Sequence, residues 1–107
     1  LSKNEFPEMG YVYILYNLDS GLVKTGKTKQ PHKRFNTLSN QNGSYLRYFI
    51  TESIYIESLV EKVMHAKFHK FRQKSEWFKI DFDIVVNELK RLLNSEDFKR
   101  RNIERGK

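Results

Sequence analysis

Gly21-Leu22-Val23-Lys24-Thr25-Gly26-Lys27-Thr28 spells the phosphate-loop pattern G-x-x-x-x-G-K-[ST], so nucleotide hydrolysis is the first chemistry the chain suggests. Its context opposes that reading. In a phosphate loop the Lys and the Ser/Thr open a helix, so that their N–H groups face phosphate; here the helix signal, Pro31, comes several residues later, and Leu22-Val23 has strand character. A nucleotide-hydrolysing core also needs a parallel sheet larger than 107 residues easily supply. What survives is charge. Lys27, Lys29, Lys33 and Arg34 cluster around one turn and make a phosphate-binding patch on any reading.

Further along, Glu61, His65 and His69 stand four residues apart, which puts neighbouring pairs on one helix stripe. A zinc site there would need a defined fourth position on a stripe that drifts with each turn, and His69 reads better as a surface residue. Tyr11 and Tyr13 share a strand face by the two-residue alternation; alone they read as strand packing. Arg34 alone would be a solvated helix residue, and Gly26 a position needing an unusual backbone angle or a close backbone approach. Glu76 precedes the apolar Trp77-Phe78 and could cap, pair with a lysine or approach an active face, a supporting role. Trp77 reads as core rather than as a base-stacking platform.

These residues need elements to carry them. Residues 1–9 have no clear period and contain Pro7, a loose lead-in. Tyr11 to Tyr16 is β-branched and aromatic, Asn17 to Gly21 has turn chemistry, and Leu22 to Gly26 completes a hairpin. Pro31 suits the first turn of a helix with Phe35 and Leu38 inward, stopped at Asn42-Gly43. A third strand is expected within Tyr45 to Ile54. Next comes a helix with Ile56, Leu59, Val60, Val63 and Met64 on one stripe, extended by Phe68 and Phe71 to about Arg72. Glu76 to Ile80 fits a short strand, and Phe82, Val85, Val86, Leu89, Leu92 and Leu93 mark a last helix fraying near Asn94. The order predicts an α+β domain over residues 10–94, a small antiparallel sheet flanked by helices. Residues 95–107 carry Lys99, Arg100, Arg101, Arg105 and Lys107, a basic tail that is either disordered or an extension gripping phosphate.

Hydrophobic residues at 38% support one core, and 107 residues do not supply two. Twenty Lys and Arg against thirteen Asp and Glu leave a formal charge of +7, which favours a polyanionic partner, nucleic acid before an anionic membrane surface. No run approaches 18 apolar residues and no leader pattern is evident, so neither spanning nor secretion is expected. The chain begins on Leu1 rather than Met, as an excised or processed piece would. With no cysteine there is neither a disulfide framework nor a thiolate metal site, which suits an intracellular setting, cytoplasmic or nucleoid-associated.

One pattern joins the candidates. Tyr11-Val12-Tyr13-Ile14-Leu15, then Lys24-Thr25-Gly26, then Arg34 in the following helix resembles the GIY-YIG nuclease superfamily, whose two tripeptides lie on partnered strands ahead of a helical arginine and a later helical glutamate. The wording GYVYIL, LVKTGKT, a helical Glu61 and His65, and SEWFKI is similar to the branch named after a phage T5 open reading frame. The likeness spans about residues 10–93. It implies a metal-dependent endonuclease that cuts DNA, with RNA as the alternative polymer. By resemblance Glu61 holds one divalent ion, magnesium or manganese, and Arg34 braces the phosphate. Tyr13, with Tyr11 able to share the role, orients or deprotonates water; His65 is a nearby acid, base or phosphate donor, and Gly26 has a supporting role. Lys24 stands where the pattern generally has its second tyrosine, and serves either as a point charge on phosphate or as a base. Lys27, Lys29 and Lys33 bind the nucleic-acid backbone.

Two rivals stand beside the nuclease: a catalytically inactive nucleic-acid-binding module using the same basic face, and an adaptor whose basic tail docks on an acidic protein. A domain of this size has little room for extended base readout, so sequence choice would come from a further specificity domain or DNA shape. A homodimer would permit double-strand cutting.

Overall fold

A computed structural model describes residues 9–42 and 46–106, the side chains at 35, 38–42 and 46 excepted. The lead-in at 1–8, the inward Phe35 and Leu38, and Gly43 and Tyr45 therefore lie outside the described residues. Strand β1 (Tyr11–Asn17) turns back into β2 (Val23–Thr28), helix α1 (Pro31–Asn42) leads to β3 (Leu46–Ile50), and α2 (Glu57–Lys67) follows. A single 3-10 turn (His69–Phe71) enters the small hairpin β4 (Arg72–Lys74) and β5 (Trp77–Phe78). Helices α3 (Phe82–Leu93) and α4 (Glu96–Gly106) complete the chain. The five strands form one antiparallel sheet in the order β3-β1-β2-β5-β4, an α+β fold.

The first hairpin is closed by local chemistry. Asn17 turns its side-chain oxygen onto the N–H groups of Asp19 and Ser20, at 2.9 and 3.1 Å, while Gly21 takes φ +74°, a region other residues resist. Gly21-to-Thr28 is therefore a turn and a strand. Gly26, Lys27 and Thr28 are inside β2 and the helix opens at Pro31, so the phosphate-loop wording has no phosphate-loop structure behind it.

Strand alternation sorts the sheet into two faces. Val12, Ile14, Val23 and Phe78 point to one side and pack with Val60, Met64 and Phe68 of α2, Val85, Val86 and Leu89 of α3, and Phe98 of α4. Tyr13 and Leu15 point to the other side, with Ile50 against them. Arg34 of α1 reaches Tyr13 there.

Three elements differ from the sequence expectation. The α2 helix ends at Lys67, five residues before Arg72, because Phe71 gives its carbonyl to Lys79 N–H at 2.7 Å and the chain crosses into the β4–β5 hairpin. The spacing of Phe68 and Phe71 fits a 3-10 turn as well as an α-helix, and β4, Arg-Gln-Lys and fully exposed, has no apolar alternation to announce it. Its charges suit a sheet edge. The third strand stops at Ile50, with Ile54 returning to make one bridge to Gly10. Last, residues 96–106 form a helix: Phe98 is buried, and Asn102 accepts from the Tyr55 N–H at 2.8 Å.

Glu88 of α3 ties two helices. It pairs with Lys67 of α2 at 2.8 Å and with Arg91 on its own helix. The hydrogen bond from Arg91 chiefly, helped by Lys67 against the opposing effect of burial, holds its carboxyl down to about 2 from an ordinary 4.5. A depressed carboxylate stabilises the fold above its unfolded value and loses that contribution as pH falls toward 2. Since both cations are largely exposed, the gain is about 1 kcal/mol. Urea unfolding of Glu88→Gln should show about that loss near neutral pH, closing between roughly pH 4.5 and 2; a gap that persists at the acid end would assign the effect to something other than the ion pairs.

Candidate active site

Tyr13 and Gly26 are directly opposed across β1 and β2. The tyrosine ring lies over the glycine so closely that a Cβ on Gly26 would stand 2.4 Å from both Cζ and the hydroxyl oxygen. The glycine is therefore required by approach, since no other residue leaves that volume to the ring. Above the ring, Arg34 donates from Nε to the phenol oxygen at 3.2 Å. Its terminal nitrogens have no partner among the described residues, so one guanidinium can hold the phenol through Nε and still present two parallel donors to a phosphate.

Helix α1 sits at the mouth of this arrangement. A groove of about 350 Å³ runs beside it, lined by Thr28, Lys29, Gln30, Lys33, Arg34 and Thr37, three cations and three neutral polar groups with no carboxylate. Lys33 is exposed on that rim. Lys27 and Lys29 reach across to the start of α2 instead: Lys27 donates to the Ser58 hydroxyl at 2.8 Å, and Lys29 pairs with Glu57 at 2.7 Å. Tyr11, half-buried, lies on the Tyr13 face opposite Thr28.

Lys24 is two residues from Gly26 on the same face. It does not stand alone: its amine is 3.4 Å from a Glu76 carboxylate oxygen and 5.9 Å from the Trp77 ring centre. Trp77, expected in the core, is half-buried on this face beside Lys24 and absent from the core clusters of described residues.

Glu61 and His65 belong to α2, which packs on the opposite face. The helix meets β2 along an open stretch of its edge. Strand β5 pairs only with Val23 and Lys24, leaving the outer edge of residues 25–28 without a strand. Helix α2 runs along that edge in the reverse sense, with Glu57 on Lys29, Ser58 on Lys27, and His65 on the Thr25 carbonyl at 3.0 Å. Glu61, one turn from both Glu57 and His65, lies between those anchors. It is half-buried and makes no hydrogen bond or ion pair among the described residues. Such a carboxylate suits a hard cation that keeps most of its waters. Among the described residues no three His, Cys, Asp or Glu converge as a group that could hold a metal ion.

His65 is more committed than its spacing suggests. A carbonyl only accepts, so Nε2 carries the proton in this bond, and the ring packs edge-on against Phe78 at 5.4 Å. Only Nδ1 is left for other chemistry. His69 is exposed, beside the cleft lined also by His65, Arg72 and Glu76. One residue that spacing did not single out is Glu57: it is buried, one oxygen holds Lys29, and its carboxyl presses on Gly10, where a Cβ would lie 2.6 Å from the carboxyl carbon. The only trace in the sequence is a glycine just before Tyr11 and an acid opening α2.

The T5orf172 domain model matches residues 10–95, most of the chain. The chain belongs to that phage-associated domain family, which is nuclease-like or DNA-binding in general. Comparisons with curated proteins and with solved structures returned no match. No described helix is long and apolar enough to cross a membrane.

If Gly26 is present because the Tyr13 ring occupies its side-chain space, Gly26→Ala should lose about 1–3 kcal/mol of stability through overpacking. In a Tyr13→Leu background the same change should cost less than about 0.5 kcal/mol. Equal costs in the two backgrounds, measured by chemical denaturation, would disprove the contact's role.

Proposed function

We propose that this member of the T5orf172 domain family is a metal-dependent endonuclease that hydrolyses DNA phosphodiester bonds through a GIY-YIG-type single-metal site. One observation carries the proposal: a tyrosine hydroxyl and an arginine are joined over a bare glycine at the head of a cationic groove. A packing tyrosine needs none of this. Hydrolysis of a phosphodiester needs an oriented water, donors for the charge that grows on the phosphoryl oxygens, and support for the leaving oxygen.

Each residue has work it can do. The groove beside α1 binds the nucleic-acid backbone through Lys33 and Arg34, with Lys29, paired to Glu57, on its wall and Thr28, Gln30 and Thr37 as neutral partners. Arg34 turns its terminal nitrogens to the scissile phosphate while Nε stays on Tyr13, so phosphate and phenol are held in one fixed relation. The same Nε–H supports the negative charge the Tyr13 oxygen acquires when it takes part in removing a proton from water. Tyr11, on the same strand face, helps to hold that water. Glu61 is the residue to hold magnesium or manganese at the β2 edge. When bound, that ion supplies Lewis-acid stabilisation and support for the leaving oxygen. His65 anchors α2 to Thr25 and so sets the position of Glu61, one turn away.

DNA is the proposed substrate, RNA the alternative polymer, with a further domain or a second copy of the chain supplying specificity. A second reading has its own support: Lys24 stands in place of a phenol and is engaged by Glu76, which suits a binding module that keeps the basic face and has lost catalysis. A plasmid-nicking assay separates the two. With magnesium or manganese the chain should cut, EDTA should stop it, and Arg34→Ala and Glu61→Ala should each lower the rate at least about 100-fold. Binding without cutting under either metal would establish the binding module instead.

A further inference from the structure

Lys24 is held from two sides by residues that follow one another. The β4–β5 hairpin reverses through Ser75 and Glu76, with Ser75 at φ +53°, and Trp77 then pairs with Lys24 across β2 and β5. The tight turn therefore delivers Glu76 next to the very residue opposite Lys24. Its carboxylate comes to 3.4 Å from the amine, and the Trp77 ring lies 5.9 Å away. The lysine side chain is only 12% exposed, whereas that of Glu76 is 52% exposed. Lys24 is thus packed in place, and its partner lies toward solvent.

A carboxylate and an aromatic face both attract an ammonium and hold it in place. Long lysine side chains ordinarily sample many rotamers; this one is confined between an acid and a ring. We infer that Glu76 is a positioning residue which, with Trp77, holds Lys24 as a fixed cation on the Tyr13 face. Lys24 then meets the substrate phosphate as a point charge and does not act as a base. Glu76 does not touch the substrate; it acts through Lys24.

The inference rests on the nuclease reading, and its test keeps the two apart. Steady-state cleavage of a short DNA duplex is measured for the wild type, Lys24→Arg, Lys24→Gln, Glu76→Gln and Glu76→Asp, beside metal-free DNA affinity for each. Arginine keeps the charge and cannot serve as a base near neutral pH, so Lys24→Arg should stay within about tenfold of wild-type kcat/KM, while Lys24→Gln should lose about 100-fold. Glu76→Gln should lower kcat about tenfold without raising KM, since a negative charge near the phosphate is removed, and Glu76→Asp should recover most of the loss. A purely structural role would not produce that split. Equal activity in Lys24→Arg and Lys24→Gln, or an unchanged kcat in Glu76→Gln, overturns the inference. If the wild type cuts nothing, the nuclease reading has failed and affinity decides: weaker binding in Lys24→Gln alone supports a fixed cation, and equal binding in the two Lys24 variants overturns it.

Discussion

The seating of the Tyr13 ring on the bare backbone of Gly26 constrains everything around it. Because the two residues oppose each other in the β1–β2 register, the ring reaches across the strand pair and fills the space where a side chain would stand. That holds the ring and its hydroxyl in place, as close packing does in a core. Arg34 can then find it from the first turns of α1. The register is held in turn by the Asn17 turn and Gly21, while on the β3 side of β1 the Val12 N–H donates to the Thr51 hydroxyl and its carbonyl accepts from the Thr51 N–H. A slip of one residue would put Tyr13 in the main core and expose Val12 and Ile14.

A second constraint is the shortness of β5. Two pairs join it to β2, and the remaining edge of β2 is given to α2. Ser58 and His65 of that helix thereby bond directly to Lys27 and Thr25 of the strand that carries Gly26. Buried Glu57 and partly buried His65 fasten the two ends of that stretch, and Glu61 between them has no hydrogen bond or ion pair among the described residues. The polar groups around the site thus divide into those consumed in positioning and those left for a ligand.

Much of this was legible in the sequence, for identifiable reasons. The hairpin announces itself by β-branched and aromatic residues around an Asn-to-Gly turn, and α3 by six apolar residues at helical spacing. Pro31 marks the start of α1. Gly26 was readable as a close approach, but its partner could be known only once the register was. The β4 strand escaped because Arg72, Gln73 and Lys74 on an exposed edge carry no alternation. The C-terminal helix escaped because its single buried anchor, Phe98, is set among charges. Engagements of polar side chains were the hardest to foresee: Lys24 with Glu76, Lys29 with Glu57 and His65 with Thr25 each join segments at least 28 residues apart, and their meeting depends on how β5 and α2 share one edge.

The phenol oxygen of Tyr13 is the atom on which the proposed chemistry turns, and a single substitution removes it. Tyr13→Phe keeps the ring over Gly26 and deletes the hydroxyl to which Arg34 donates. Single-turnover cleavage of a DNA duplex with magnesium, measured beside DNA affinity and thermal stability, is the most direct test. A fall of at least about 100-fold in rate, with affinity and folding close to wild type, is the expected result. Cleavage at the wild-type rate would contradict it and return Tyr13 to the packing of the sheet.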